Sequence, residues 1–449
     1  MPNPLTPSDE ENLGKIAAVI RMAHSEFAMR VNLVLCPNVS ARDEMAGRYS
    51  FIDRPFFTTD DRVDPADPVA LGRLVNWRER LLRPLAEADG IFVIDSDPGG
   101  FPHSTNLDFV YLLKAHRRIL DRLRPGIELV YWTHFGWEAY GRFYATGELK
   151  RGTQDEPREA MLLLTKQNVE PWSVASSGFP ADFGDSIGMG DRVLGFPYGA
   201  IEKEPSFPFT LFGYDRAFEA GKRKGARGVL GNSQTHVVQL PNTFAFARGA
   251  LGLPLERRDY VAFADRLITG GGEPIVEAWE ALQTSDASRM DRAMTALRVL
   301  QRSGFETGPL HGLMIGGGGR FVEDLILQLE ARAALCRFAA VLETRRDDQH
   351  AVARSFSAFV DAILAWQSRH GYGGNWRWPE MQEALERLDH IKINEVMETL
   401  TIVSKEGTTP FDRVKNGLAD LEHFTKRLIR ALQEVRDDLN HLHPLGKDR

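Results

Sequence analysis

Short apolar runs that end in polar loops recur through the first half of this 449-residue chain. An amphipathic helical pattern separates most of these runs from the next one. This alternation favours a parallel sheet or a barrel, because parallel strands are joined by crossovers that are usually helical. We count about six strands, two short of the eight that close a barrel. The runs are Val31–Cys36, Ile91–Ile94, Ile127–Trp132, Pro171–Ala175, Arg192–Phe196 and Gly228–Leu230.

The pattern changes near Leu255, where strand signals disappear and long helical patterns begin. The sequence therefore predicts an α/β fold. A (β/α)8-type (TIM) barrel, either complete or lacking strands, covers residues 1–254, and an all-α helical domain covers residues 255–449. Ser8 is the predicted N-cap of the first helix. Helical patterns cover residues 10–29, 69–88, 106–123, 156–167, 212–224, 321–345, 350–370, 380–403 and 411–441.

Composition excludes several classes of protein. A hydrophobic fraction of 43% and a charged fraction of 26% are ordinary for a soluble globular protein, and a net charge of −7 argues against a general nucleic-acid binder. No apolar run approaches the ~20 residues that a membrane helix needs. The first residues lack the layout of a secretory signal, so we expect a cytoplasmic protein, although a removed signal stays open. Cys36 and Cys336 read as core residues rather than as a disulfide.

Two carboxylates follow the most central of these runs. Ile91–Ile94 stops abruptly in Asp-Ser-Asp-Pro-Gly-Gly, which puts Asp95 and Asp97 at the carboxyl end of a buried strand, where α/β folds carry their chemistry. If strand geometry continues through Ser96, the two carboxylates share a face and repel, which raises one pKa as a general acid requires. We predict Asp97 as the acid and Asp95 as the orienting or second carboxylate. The structural alternative is that Asp97 caps a turn and Asp95 holds a loop through backbone N–H groups.

Aromatic, amide and imidazole side chains follow several of the predicted strands. Aromatic faces stack on sugar rings, and amide or imidazole groups hydrogen-bond hydroxyl or acetamido groups. Each of these residue types is also common in cores and in hydrogen-bonded connections, so the case is collective. The predicted substrate-binding residues are Trp132, His134, Trp137, Tyr198, Asn232, Gln234 and His236.

Two segments resemble a known group of enzymes. Ile91–Pro98 looks like the fourth-strand segment of the retaining β-N-acetylhexosaminidase and O-GlcNAcase-like glycoside hydrolases, and Gly228–Asn232, leading into Gln239–Asn242, is similar to the end of those barrels. The resemblance implies a carboxylate pair: one member orients the substrate's acetamido group, which attacks the anomeric carbon, and the other is the general acid. Those enzymes usually have adjacent carboxylates, whereas Ser96 separates the two here.

Three alternatives stay open. An ordinary two-carboxylate glycosidase takes its second carboxylate from Asp60, Asp61 or Glu202. A non-catalytic carbohydrate-binding or scaffold protein needs no acid at all. A metal-dependent hydrolase or isomerase has suitable donors but no His-Glu-x-x-His or Cys-x-x-Cys spacing. Its donors are Asp95, Asp97, His103, His134 and His236.

The sequence thus predicts a glycoside hydrolase that uses no cofactor and takes a carbohydrate as its partner. It predicts neither a nucleic-acid nor a membrane partner. The choice between a monomer and a homo-oligomer stays open, as do the sugar, the linkage and the stereochemical outcome.

Overall fold

A computed structural model describes most of the chain, which divides into two compact units. The first unit consists of Met1–Pro197, Arg223–Leu230 and Gly407–Ala419, and the second contains the remainder. The predicted division at residue 254 stays a prediction. The described residues are 5–35, 39–40, 61–95, 103–134, 136–139, 142, 155–177, 190–197, 200–201, 210, 212, 214–222, 227–233, 237–304, 306–370, 379–396 and 417–442.

A six-stranded parallel sheet forms the centre of the first unit. The strands lie side by side in chain order, and every neighbouring pair is parallel. Each of the six apolar runs singled out in the sequence is one of these strands. They are β1 (Asn32–Leu35), β2 (Gly90–Ile94), β3 (Glu128–Thr133), β4 (Trp172–Ser177), β5 (Val193–Phe196) and β6 (Gly228–Val229).

The sheet is a curled half-barrel, with β1 and β6 at its edges in the part of the chain that is described. Parallel strands in chain order are typical of barrels, because each right-handed crossover advances the sheet by one position in the same direction. The α/β class and the parallel sheet are confirmed, whereas a closed eight-stranded barrel is not shown. Ile91–Ile94 lies in the second strand of this sheet, whereas the resemblance assigns it to the fourth.

Helices cover one face of the sheet. Strand β2 is buried throughout, so its alternating side chains enter two different cores. Ile91 and Val93 join the large core between the sheet and the helices, whereas Phe92 packs with Val130 and Ala175 in a small core on the other face. The helices of this unit are α1 (Pro7–Phe27), α2 (Pro68–Leu82), α3 (Asn106–Leu123) and α4 (Asp155–Lys166).

Ion pairs join the amino ends of the strands. The Glu128 carboxylate, at the start of β3, pairs with Arg227 before β6 and with Arg30 before β1, the latter with an Nη2–Oε2 distance of 3.2 Å. Ser173 of β4 donates its hydroxyl to the same carboxylate at 2.5 Å. Burial opposes ionisation of Glu128, but these partners outweigh burial and lower its pKa. The network therefore fastens four strands at one end of the sheet.

The second unit is almost entirely helical. Its helices pack around one core that contains Tyr260 and Trp279 and another that contains Phe338 and Trp366. None of the described helices has the length and apolarity that a membrane span requires. The helices are α5 (Tyr214–Gly221), α6 (Leu240–Ala250), α7 (Arg257–Leu267), α8 (Gly272–Ala281), α9 (Ala287–Ser303), α10 (Gly317–Thr344), α11 (Gln349–His370), α12 (Pro379–Leu388) and α13 (Gly417–Leu442).

Three local features differ from the expectation. Helix α1 begins with Thr6 as N-cap rather than Ser8, because Thr6 and Asp9 exchange hydrogen bonds as a capping box. The helix expected over 380–403 is interrupted at Asp389, whose φ of 52° is left-handed. Short strands that the sequence did not predict also occur, one pair of them after Leu255. Each has only two residues, which is too short to give an alternating pattern. The antiparallel pairs are Ile268–Thr269 with Glu306–Thr307 and, in the first unit, Val39–Ser40 with Asp61–Arg62.

Candidate active site at the carboxyl end of the sheet

The Asp95 carboxyl group, directly after β2, accepts hydrogen bonds from β3 and from the residues that follow it. The Tyr131 hydroxyl donates to Oδ2 at 3.0 Å, and the His134 backbone N–H donates to Oδ1 at 2.9 Å. The Gly136 backbone N–H donates to the same group. Asp95 therefore fastens the end of β2 to His134 and Gly136; we call His134 and residues 136–138 together the β3 end segment.

Burial dominates the chemistry of this carboxyl group. The Asp95 side chain is 0% exposed, and the loss of hydration raises its pKa from 3.8 to about 6, although His134 and the three donors oppose the rise. The same burial, together with the charge of Asp95, raises the pKa of Tyr131 well above its ordinary value. A pKa near 6 suits a general acid, but a side chain without exposed surface does not touch a substrate in this conformation.

Asp95 lies on the helix-covered face of the sheet. Side chains alternate along a strand, so Asp95 shares a face with Ile91 and Val93, which belong to the core beneath the helices. Its partner Tyr131 belongs to that core as well. Asp97, the predicted general acid, lies outside the described residues, so the hypothesis that both carboxylates share a face stays a prediction.

Trp132 and His134 retain exposed surface at the end of β3, since both are half-buried. The Trp132 side chain packs on the opposite face of the sheet from Asp95, beside the small core that contains Phe92. Its ring meets Phe196 edge-on, with ring centroids 5.1 Å apart. An aromatic face and an imidazole therefore flank the strand end to which Asp95 is fastened.

Trp137 occupies the core instead. Its side chain is 1% exposed, and its ring stacks on Phe109 of α3 with centroids 5.1 Å apart. In this conformation the ring offers no face to a sugar, and its role in substrate binding stays a prediction. Packing accounts for its position.

Six of the predicted residues lie outside the described part of the chain. Asn232 is half-buried just after β6 and belongs to the second compact unit. The structure therefore brings His134 beside Asp95, whereas Trp132, on the same strand end as His134, lies on the opposite face of the sheet. Predicted residues outside the described part of the chain are Asp60, Asp97, Tyr198, Glu202, Gln234 and His236.

Tyr131, Asn106 and Glu138 were not predicted. The Glu138 carboxylate accepts a hydrogen bond from the Asn106 backbone N–H at 2.8 Å, which ties the β3 end segment to the first turn of α3. The Asn106 side chain is buried and donates to Glu159 at 2.8 Å. A tyrosine within an otherwise apolar run was a signal that pointed to a buried polar partner, because a buried hydroxyl needs a hydrogen bond.

Acidic side chains also gather beside this segment. Burial raises the pKa of Glu156 at the start of α4; an ion pair with Arg142 at 2.7 Å opposes the rise, and repulsion from Glu138 and Glu159 adds to it. The described residues nevertheless contain no group of three or more His, Cys, Asp or Glu side chains arranged to hold a metal ion.

Comparisons with known proteins give a distant likeness among solved structures. No family model and no curated protein matches the chain. No family is shown. Among solved structures, the chain is similar to CpGH84D, a glycoside hydrolase family 84 protein, at 8% identity and a TM-score of 0.41. The alignment covers 97% of this chain and 67% of that one. At these values the likeness carries no argument about function.

Proposed function

We propose that the protein is a glycoside hydrolase that acts on a glycan or glycoside through carboxylates at the carboxyl end of β2. The observation that carries the proposal is the Asp95 carboxyl group, whose pKa of about 6 occurs at the end of a buried parallel strand. That end of the sheet is where α/β enzymes carry their chemistry. Trp132 and His134, at the end of the neighbouring strand, supply an aromatic face and an imidazole.

In the proposed reaction, Asp97 donates a proton to the glycosidic oxygen while the bond from that oxygen to the anomeric carbon breaks. On an N-acetylhexosamine, the acetamido oxygen attacks the anomeric carbon; the predicted role of Asp95 as the orienting carboxylate in this step requires its buried side chain to become exposed. Water then attacks the same carbon while the bond from that carbon to the acetamido oxygen breaks, and the water gives its proton to Asp97, which restores the acid. The residues proposed to contact the sugar are Trp132, His134, Tyr198, Asn232, Gln234 and His236.

The first experiment is hydrolysis of a panel of aryl glycosides that includes N-acetylglucosaminide, glucuronide and galactoside. We expect turnover of one sugar to fall by about 10² in Asp97→Asn, as the loss of a general acid does. Asp191→Asn is the matched control, because its side chain is exposed in the turn before β5. Because aryl leaving groups need little acid help, a substrate with a natural linkage follows. Equal losses in both variants argue against Asp97 as the acid.

A non-catalytic carbohydrate-binding protein is the second candidate, and the complete burial of Asp95 favours it, because a carboxylate that does not reach substrate does not help to catalyse its reaction directly. Calorimetric titration with the same sugars separates the two functions. Binding without turnover of any substrate supports the binding protein and overturns the hydrolase. Turnover that chelation abolishes and a divalent metal restores moves the assignment to a metal-dependent hydrolase.

A further inference from the structure

We propose that Asp95 is a positioning residue, whose buried carboxylate, held by the Tyr131 hydroxyl, fixes the β3 end segment. The statement that this segment faces a glycan or glycoside rests on the proposed hydrolase function. The proposal assigns Asp95 a different task from direct contact with a sugar. It acts through backbone N–H groups of the segment that carries His134.

The hydrogen bonds account for this role. Two of the three donors to Asp95 are backbone N–H groups of the β3 end segment, those of His134 and Gly136. A carboxyl oxygen accepts hydrogen bonds through more than one lone pair, so a single buried group restrains two residues of the segment. Because the Asp95 side chain is fully buried, it contacts only other groups of the protein in this conformation.

Tyr131 holds the carboxylate from the side of the core. Its ring is packed edge-on against Phe109 with centroids 5.0 Å apart, and Phe109 in turn stacks on Trp137. A ring packed in this way has little rotational freedom, so the direction of its hydroxyl is set before any ligand binds. Packing of the rings therefore holds the Tyr131 hydroxyl in place against Asp95.

A second tie acts at the far end of the segment. Glu138 accepts from the Asn106 backbone N–H at the start of α3, 2.8 Å away. The connection from β2 to α3 begins after Asp95, ends at Asn106 and contains Asp97. The β3 end segment is thus bonded to both ends of the connection that contains the proposed acid.

The direction of the pH effect follows from burial. The titratable groups that act on Asp95 are His134 and Tyr131, and Glu156 acts in turn on Tyr131. Opening the segment hydrates Asp95 and returns its pKa from about 6 toward 3.8, so opening releases a proton between those values. The segment is therefore held less tightly as the pH rises through about 6.

Hydrogen–deuterium exchange of the full chain tests the proposal without any substrate. We compare Tyr131→Phe, which keeps the ring and removes the hydroxyl, with Asp95→Asn and with the control Tyr111→Phe, whose ring is partly exposed on α3. In Tyr131→Phe, the protection of residues 132–139 is expected to fall by about tenfold, as loss of a buried hydrogen bond predicts. Peptides from β4 and α1 are expected to keep their protection.

The pH profile separates positioning from general destabilisation. After correction for intrinsic exchange, wild-type protection of residues 132–139 should fall as the pH rises through about 6, and this step should be absent in Asp95→Asn. Because the Tyr131 hydroxyl lowers the pKa of Asp95, the step should move to higher pH in Tyr131→Phe. Equal protection in all variants, or a loss at every pH without a step, overturns the proposal.

Measurement of kcat and KM is the second test of the proposal. With an active substrate, Tyr131→Phe should raise KM by about tenfold and leave kcat within about twofold, since a misplaced segment weakens binding before chemistry. A fall in kcat at constant KM contradicts a positioning role. If the wild type hydrolyses no glycoside, the hydrolase proposal fails, whereas the exchange experiment still decides whether Asp95 fixes the segment.

Discussion

Burial governs Asp95 so strongly that its effect on folding runs opposite to that of most carboxylates. Glu128, which lies among cationic partners, has a lowered pKa, whereas Asp95, with neutral donors and a neighbouring histidine, has a raised one. An acid with a raised pKa binds more protons in the folded than in the unfolded chain. Its contribution to stability is therefore complete below about pH 3.8 and is lost as the pH rises through about 6.

This sign gives a first prediction. The free energy of unfolding of the wild type, relative to that of Asp95→Asn, should fall by about 2 kcal/mol between pH 4 and pH 7, which is most of the ~3 kcal/mol that a pKa raised from 3.8 to about 6 represents. Urea unfolding at several pH values measures the difference, and other carboxylates cancel in the comparison. Curves that stay parallel with pH show that Asp95 is ionised with its ordinary pKa.

Trp137 gives a second prediction at the same scale. Trp137→Ala should lower the free energy of unfolding by about 3–5 kcal/mol, because it removes a large buried ring that packs on Phe109. Trp132→Ala should cost less, since Trp132 is half-buried. Urea unfolding of both variants checks the order, and a smaller loss for Trp137 places its ring outside the core.

At the scale of the element, the sequence was informative about strands and poor about their ends and faces. All six apolar runs became strands, because a run of branched residues has few other ways to be buried. The same uniformity concealed which face each residue occupies, so the pairing of Tyr131 with Asp95 was not predicted. Helix α1 began at a cap that depends on one side-chain pair, Thr6 and Asp9, which periodicity does not distinguish from Ser8.

Strand β2 also requires a glycine that periodicity does not mark. A Cβ on Gly90 would lie 2.5 Å from Asn32 Oδ1 and 3.3 Å from Glu128 Cβ, on the two neighbouring strands. Asn32 Oδ1 ends an exposed side chain that can turn away, whereas the Cβ and backbone oxygen of Glu128, both 3.3 Å away, belong to a paired strand, so Gly90→Ala should cost about 1 kcal/mol through overpacking. Gly72→Ala on α2 is the control, because its Cβ meets no atom within 4 Å and alanine favours helix, so it should stabilise by up to about 1 kcal/mol. Thermal unfolding that ranks the two in the reverse order contradicts the close approach.

At the scale of the whole molecule, the sequence predicted a strand-rich part and a helical part, and the structure has one compact unit of each kind. Whether the sheet closes into a barrel could not be derived, because closure depends on long-range pairing that local patterns do not encode. Only part of the candidate site could be predicted, because its contacts also join residues that are distant in sequence. Asp95 follows a recognisable strand, whereas its partners come from another strand and its end segment.

The two units allow a prediction about additivity. Arg332 of α10 is buried and pairs with Glu380 of α12 at 2.9 and 2.7 Å, so Glu380→Ala should cost about 3 kcal/mol or more by leaving a buried charge. Glu383→Ala, at an exposed position of α12, is the control for Glu380→Ala. Since Gly90 and Glu380 lie in different units, the double variant should equal the sum of the single changes within about 0.5 kcal/mol in urea unfolding. A larger deviation reveals energetic coupling between the units.

The ion-pair network on Glu128 has a consequence for how such a protein changes over time. Because Arg30, Ser173 and Arg227 fasten the strands at their amino ends, much of what keeps the sheet in register lies away from the end that carries Asp95. Substitutions in the connections after β2 and β3 that spare Asp95 and the buried residues Gly136, Trp137 and Ala139 can then alter recognition at little cost to folding. A randomised library confined to the remaining positions of those connections should yield more folded members than an equally large library at the amino ends, which makes this architecture a favourable starting point for new specificities.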